Sequence, residues 1–212
     1  MEFNFRGAAY RVEFADALIY PQGFAAVADR MRAFAGTNML ADIGNGEVAN
    51  PKGLQVRFAD HPGRIGNSSG VPSMNIMRIV DRRPVQSSCV TEFFGTHQCT
   101  LRIRENLLSR FGKSVGEGLI DGFIRTGKAD IDQRYQDAMR QSAMEYVSGI
   151  FRRLREHGYD PELMKLYVVG GGGCLIKHFA EINPARVIVN DDIHATAKGY
   201  EYLAKLELRR RE

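Results

Sequence analysis

The chain has only three cysteines, Cys89, Cys99 and Cys174, an odd set without paired spacing. It therefore offers no disulfide framework and suits a reducing, cytoplasmic location. No apolar stretch approaches the roughly 20 residues that span a bilayer, which excludes a transmembrane helix and a membrane partner. No secretory signal is visible: Met1–Phe14 alternates polar and apolar residues and contains Glu2, Arg6, Arg11 and Glu13. His97, Gln98, Cys99 and Cys89 lack a further ligand at suitable spacing, so a metal site there gives way to a packed hairpin thiol and a helix-start histidine. Strong charge of one sign is absent too. The net charge is +4, and its densest clusters, Arg209–Arg211 and Arg152, Arg153 and Arg155 beside Glu156, read as solvated helix surface. Without an aromatic-studded basic stripe, no direct nucleic-acid contact is expected.

What is present is an ordinary globular composition, 44% hydrophobic and 25% charged in 212 residues, enough for one or two domains with a real core. Tyr10–Phe14 alternates as a short strand. Gly23–Phe34 carries helical spacing, and Asn38–Ile43 is a buried strand ending in the turn Gly44–Gly46. Glu47–Ser73 is rich in Gly, Pro, Asn and Ser and too long for a hairpin loop, with a candidate strand at Leu54–Ala59. Asn75–Val80 and Val85–Phe94 pair as a hairpin turning at Asp81–Pro84. Helices are expected at Thr100–Phe111, Val115–Arg125 and Asp130–His157, the last stopped by Gly158. A strand, four glycines, a helix, the strand Arg186–Val189 and a helix over Ile193–Leu208 complete the chain. This order gives an α/β domain with a mixed central sheet flanked by helices.

Two glycine turns carry the chemistry. In KLYVVGGGGCLIKHF, Lys165–Phe179, an apolar strand enters Gly170–Gly173 and then a helix. Glycines allow sharp turns, positive φ and close approach to a flat ligand, and the helix start offers free amides to an electron-rich group. The run matches neither G-x-G-x-x-G nor G-x-x-x-x-G-K-[ST]. The second turn is LADIGNG, Leu40–Gly46. A carboxylate at a strand end, Asp42, beside Gly44, Asn45 and Gly46 suits a hydrated Mg²⁺ and phosphate oxygens. A hairpin turn with a capping Asp is the alternative. Cys174 at a helix start reads as a small buried residue under the glycine turn, and Glu117 as an exposed helix acid.

Together these motifs resemble the second half of an actin-like ATPase of the ParM/StbA plasmid-segregation family, in the actin–hexokinase–chaperone superfamily. LADIGNG is similar to its second phosphate motif, YVVGGGG to its adenosine motif, and DIHATAKGYEYLA (Asp192–Ala204) to its closing helix. The resemblance implies a ribonuclease H-like, actin-type lobe over 38–212, preceded by a junction strand and connecting helix over 1–37 and interrupted by an insert at 47–73. It implies ATP and Mg²⁺ as cofactors, with Asp42 positioning the metal. Gly44, Asn45 and Gly46 would lie at the phosphates, Gly170, Gly171, Gly172 and Gly173 beneath the adenine, and Gln22 would orient water. Gln22 as a helix cap is the other reading. Filament self-association and a DNA-binding adaptor are the implied partners. Two departures stand out: no first phosphate motif precedes Asp42, and Glu47 replaces the usual Thr at the head of the insert. A catalytically inactive, truncated remnant that acts through protein contacts is the alternative function, and a sugar or acetate kinase is a more distant one.

Overall fold

The computed structural model describes residues 2–11, 13, 19–20, 23–33, 35–44, 73–192 and 194–211. Strands β1 (Glu2–Phe5) and β2 (Ala8–Arg11) form an antiparallel hairpin of their own. Its turn residues Arg6 and Gly7 both take positive φ, 51° and 81°, as a tight two-residue turn requires. The strand expected over Tyr10–Phe14 is thus shifted towards the N-terminus: it ends at Arg11 and is the return arm of this hairpin.

The main sheet is six-stranded and mixed. β3 (Thr37–Ile43) lies at its centre, antiparallel to β4 (Met74–Val80) and parallel to β7 (Lys165–Val169), which pairs in turn with β8 (Val187–Val189). Strands covered on both faces read as continuous apolar runs rather than as alternation. That is why TNMLADI is nearly all buried. The far edge is a broken hairpin. Asp81 and Arg82 turn with φ 47° and 70°, and β5 is only Arg83–Pro84 because Pro84 has no amide to continue the ladder. A short 3-10 turn, Gln86–Ser88, follows, and the Ser88 hydroxyl accepts the Arg78 amide at 2.9 Å in place of a strand partner. β6 (Val90–Glu92) then rejoins β4. Of the single long arm expected over Val85–Phe94, only Val90–Glu92 is strand, and Arg83–Pro84, expected in the turn, already pair with β4.

Helices α1 (Thr96–Phe111), α2 (Glu117–Thr126), α3 (Gln133–Glu156) and α4 (Gly173–Phe179) cover one face. α1 starts four residues before the apolar periodicity, because the Gly95 amide donates to Gln98 Oε1 at 2.9 Å and closes its first turn. α3 begins where Asp132 accepts the Arg134 amide at 3.0 Å. Its buried stripe, Ala138, Met139, Ala143, Tyr146, Val147, Ile150 and Leu154, follows the helical repeat. α1 and α2 end on left-handed glycines, Gly112 and Gly127. The other face carries a 3-10 helix, Ala25–Ala33, and α5 (Ala195–Arg211), which pack with Phe24 and Val27 over Leu40, Met77, Tyr167 and Val169. A mixed sheet between two helical layers is the α/β architecture expected from the sequence. Among the described residues, no helix is long and apolar enough to cross a membrane.

Candidate functional site

Because β3 and β7 run parallel, with Asp42 beside Val169, their carboxyl ends finish at one level. The chain leaves β7 through Gly170, whose φ is +83°, and folds back over the end of β3. The Gly172 amide donates to the Ile43 carbonyl at 2.9 Å. A β-carbon on Gly172 would lie 2.2 Å from Ile43 Cγ2, so only glycine permits this approach. A second segment closes from the opposite face. Gly23, also at φ +83°, abuts the Asp42 side chain, and a β-carbon there would stand 2.9 Å from Asp42 Cβ.

Asp42 is thereby enclosed by glycines on two sides and half-buried. Among the described residues no side chain donates a hydrogen bond to it, and burial pushes its carboxyl above the ordinary aspartate range. A desolvated carboxylate with no cation beside it among the described residues favours either a proton or a metal ion. Mg²⁺ typically uses one or two carboxylates plus waters and phosphate oxygens, so Asp42 fits as a single protein ligand. No group of three or more His, Cys, Asp and Glu side chains suited to a metal occurs among the described residues.

Gly170 also lines the adjoining cavity of about 420 Å³, between the glycine turn, the end of β8 and the start of α5. Its size falls within the range of small-molecule sites. Gly171, Gly173, Ala26 and Val189 give apolar or backbone walls, and Asn190, Lys177, Asp191 and Arg125 give a polar rim. Asn190 is fixed on both sides: its amide donates to the Val168 carbonyl at 2.8 Å and its Nδ2 to the Ala26 carbonyl at 3.2 Å. Lys177 pairs with Asp191 and holds that carboxyl below the usual range. This arrangement suits a flat polar ring on backbone with a sugar towards the rim.

Of the residues singled out from the sequence, Asp42, Gly44 and Gly170–Gly173 come together. Gln22, Asn45, Gly46, Glu47 and the segment 47–72, with its candidate strand Leu54–Ala59, lie outside the described residues. One expectation changes. The glycine run does not present a row of free amides: the Gly172 amide goes to Ile43, Gly173 to Gly170 and Leu175 to Gly172. The glycines serve close packing instead. Gly44 is likewise occupied, donating to the Ser73 carbonyl at 2.9 Å and accepting from the Thr96 amide at 3.2 Å. Cys174 is half-buried and donates to the Gly171 carbonyl at 3.2 Å, with burial pushing its thiol up. Glu117 is an exposed acid bound to Arg104 at 2.8 Å. Cys89, expected to be packed, is exposed because its hairpin arm breaks at the 3-10 turn. Sequence reading missed Gly23, Asn190 and Lys177. The run VIVNDD, a strand ending in polar residues, was the available signal for Asn190.

No protein-family model matches the chain, and no curated protein sequence does either. Solved structures do match in fold. The archaeal actin homologue Ta0583 superposes with a TM-score of 0.60 at 17% identity over 95% of this chain and 60% of its own. A filament structure of Alp12 gives 0.62 at 15% over 95% and 57%. A non-polymerisable mutant of pCBH ParM gives 0.58 at 16% over 95% and 58%. Ta0583 has also been solved in complex with ADP. The chain thus has the actin-like fold of these proteins and spans about three-fifths of their length.

Proposed function

We propose that this chain is the C-terminal, nucleotide-binding lobe of a ParM-like actin-family ATPase that takes ATP with Mg²⁺. The observation that carries the reading is Asp42, a half-buried carboxylate with no side-chain donor among the described residues, enclosed by Gly23 and Gly170, next to a cavity walled by the same glycine turn. In the proposed pose the adenine lies on Gly170–Gly173, the ribose faces Asn190 and the rim, and the phosphates extend past Gly170 towards Asp42. Mg²⁺, when bound, neutralises charge building on the phosphate oxygens during phosphoryl transfer.

The chain's own residues then have distinct tasks. Asp42 would be the protein ligand that holds the metal, and it loses its excess proton affinity once a cation is beside it. Gly44, whose amide goes to Ser73, keeps the strand end close, and Asn45 and Gly46 are the residues proposed to meet the phosphates. Gln22, next in sequence to Gly23, orients the attacking water. Such catalysis is mainly positioning and electrostatics from several sides. Assembly into filaments and attachment to DNA through an adaptor complete the reading, supported by the likeness in fold to the Alp12 filament subunit and to ParM.

The test is thermal melting and amide NMR of the full chain with ATP and Mg²⁺, alongside sedimentation. The reading expects a raised Tm, shifts at Gly171, Gly173 and Asn190 that require ATP, and a Mg²⁺-dependent shift at Asp42. An unchanged Tm and unchanged resonances at millimolar ATP would sink it and leave the protein-contact domain as the better account.

A further inference from the structure

A second cavity, of about 540 Å³, opens at the opposite end of the sheet. It lies between α3, the segment entering β7 and the segment joining α4 to β8, where the Leu166 amide donates to the Arg186 carbonyl at 2.8 Å. The nucleotide reading makes no use of it. Its floor is apolar: Val147 and Phe151 of α3, Phe179 at the end of α4 and Val187 at the start of β8. Two arginines stand at its edge, Arg155 from the last turn of α3 and Arg186 ahead of β8. Neither guanidinium has an ion pair or a side-chain hydrogen bond among the described residues, although eleven ion pairs form elsewhere. Among the described residues of the lining, Glu181, exposed on the same rim, is the single acid against two arginines, so cationic charge predominates. The wall also contains Tyr159, only 4% exposed, whose hydroxyl is buried without a hydrogen-bond partner among the described residues. Burial pushes the pKa of that phenol up, Arg186 is near enough to oppose the rise, and Asp160 adds a smaller contribution to it. A buried donor left unmade is costly, and an acceptor drawn to Arg186 would relieve it.

We propose that this cavity binds a small apolar monocarboxylate, its hydrocarbon body against Phe151, Phe179 and Val187 and its carboxylate between Arg155 and Arg186. Guanidinium groups suit a carboxylate because their planar donors match its two oxygens. A pocket of this volume accepts a ligand the size of an aryl-alkyl acid. The apolar floor gives affinity, and the arginine pair selects the acid over its neutral analogue.

The experiment is an amide NMR titration of the full chain with hydrocinnamate, repeated with hydrocinnamyl alcohol, which has the same body without the charge. Saturable shifts at Tyr159, Ala180 and Val187 are expected with the acid, and binding at least about tenfold weaker with the alcohol. Arg155→Gln and Arg186→Gln should each weaken the acid by about tenfold and leave the alcohol unchanged. Tyr159→Phe should weaken the acid while raising Tm, since it removes an unpaired buried hydroxyl. Absence of saturable shifts, equal binding of acid and alcohol, or unaltered acid binding in both arginine variants would each overturn the proposal. The comparison of acid with alcohol uses the unaltered chain, so it holds even if a variant fails to fold.

Discussion

A β-carbon built on Gly170 would stand 2.6 Å from Oδ1 of Asp42 and equally 2.6 Å from the Ile43 carbonyl oxygen. The glycine turn after β7 and the carboxylate ending β3 are therefore one packed unit, although more than a hundred residues separate them in sequence.

Gly170→Ala tests that unit. Its φ of +83° already disfavours an L side chain, and the Ile43 carbonyl is backbone that cannot rotate away. A loss of about 1–3 kcal/mol is expected from strain and overpacking together. It would be read as a lower urea midpoint with an unchanged m-value. A midpoint equal to that of the parent chain would show that the turn is not seated on β3.

Asp42→Asn separates stability from function. Burial raises the Asp42 pKa, so between its unfolded and folded values the folded chain holds more protons than the unfolded one. The contribution of this group to stability is present at low pH and is lost as pH rises through the folded pKa. At neutral pH, Asn removes the desolvated charge and should raise stability by about 0.5–2 kcal/mol, the usual range for single stabilising changes. The acid-side rise due to this group should also flatten. Under the proposed function, the same variant loses the Mg²⁺-dependent part of its ATP response. A variant that is less stable at neutral pH would mean that Asp42 is already compensated in the folded protein.

The central strands and long helices were legible because their signals are local: an apolar run for β3, and a four-residue stripe through Tyr146, Ile150 and Leu154 for α3. The hairpin edge was not. Pro84 ends one arm and Ser88 replaces a ladder bond with its side chain, and neither event alters hydrophobic periodicity. At the site, strand ends and glycine runs could be seen. Which amides remain open could not, because Gly172 is occupied by Ile43, far upstream in the chain. In the sequence Gly23 only opens the helical pattern Gly23–Phe34, and its contact with Asp42 exists only in three dimensions.

The three thiols should differ sharply in reactivity with iodoacetamide. Cys89 is exposed and should label first. Cys99 is fully buried, and burial pushes its thiol up to about 12, so it should label only on unfolding. Cys174 is half-buried with a raised pKa and should label slowly. It also lines the cavity beside Gly173, so ATP with Mg²⁺ should slow Cys174 further without changing Cys89. Peptide mass spectrometry across a time course reads all three at once. Rapid labelling of Cys99 in the native protein would contradict the packing of α1.

Gly199→Ala should be the most damaging of the glycine substitutions. α5 crosses the 3-10 helix Ala25–Ala33 at this position, and an added β-carbon would lie 1.6 Å from the Ala25 carbonyl oxygen and 2.3 Å from its carbon. A methyl group has no rotamer to relieve such a clash, so α5 must move off the sheet. Leu203, which packs with Phe24 and Val27 in the same layer, would be uncovered. The expected loss exceeds about 3 kcal/mol, beyond ordinary overpacking. The damage should also reach the cavity, because Ala26 lines it and accepts the bond that fixes Asn190. Gly122→Ala is the control: it lies inside α2, and a β-carbon there meets nothing within 4 Å. Helix propensity should make that variant more stable by about 0.5–1 kcal/mol. Opposite signs in urea melts are thus expected from one chemical change at two helical glycines. Equal effects would mean that α5 does not touch the helix at Ala25.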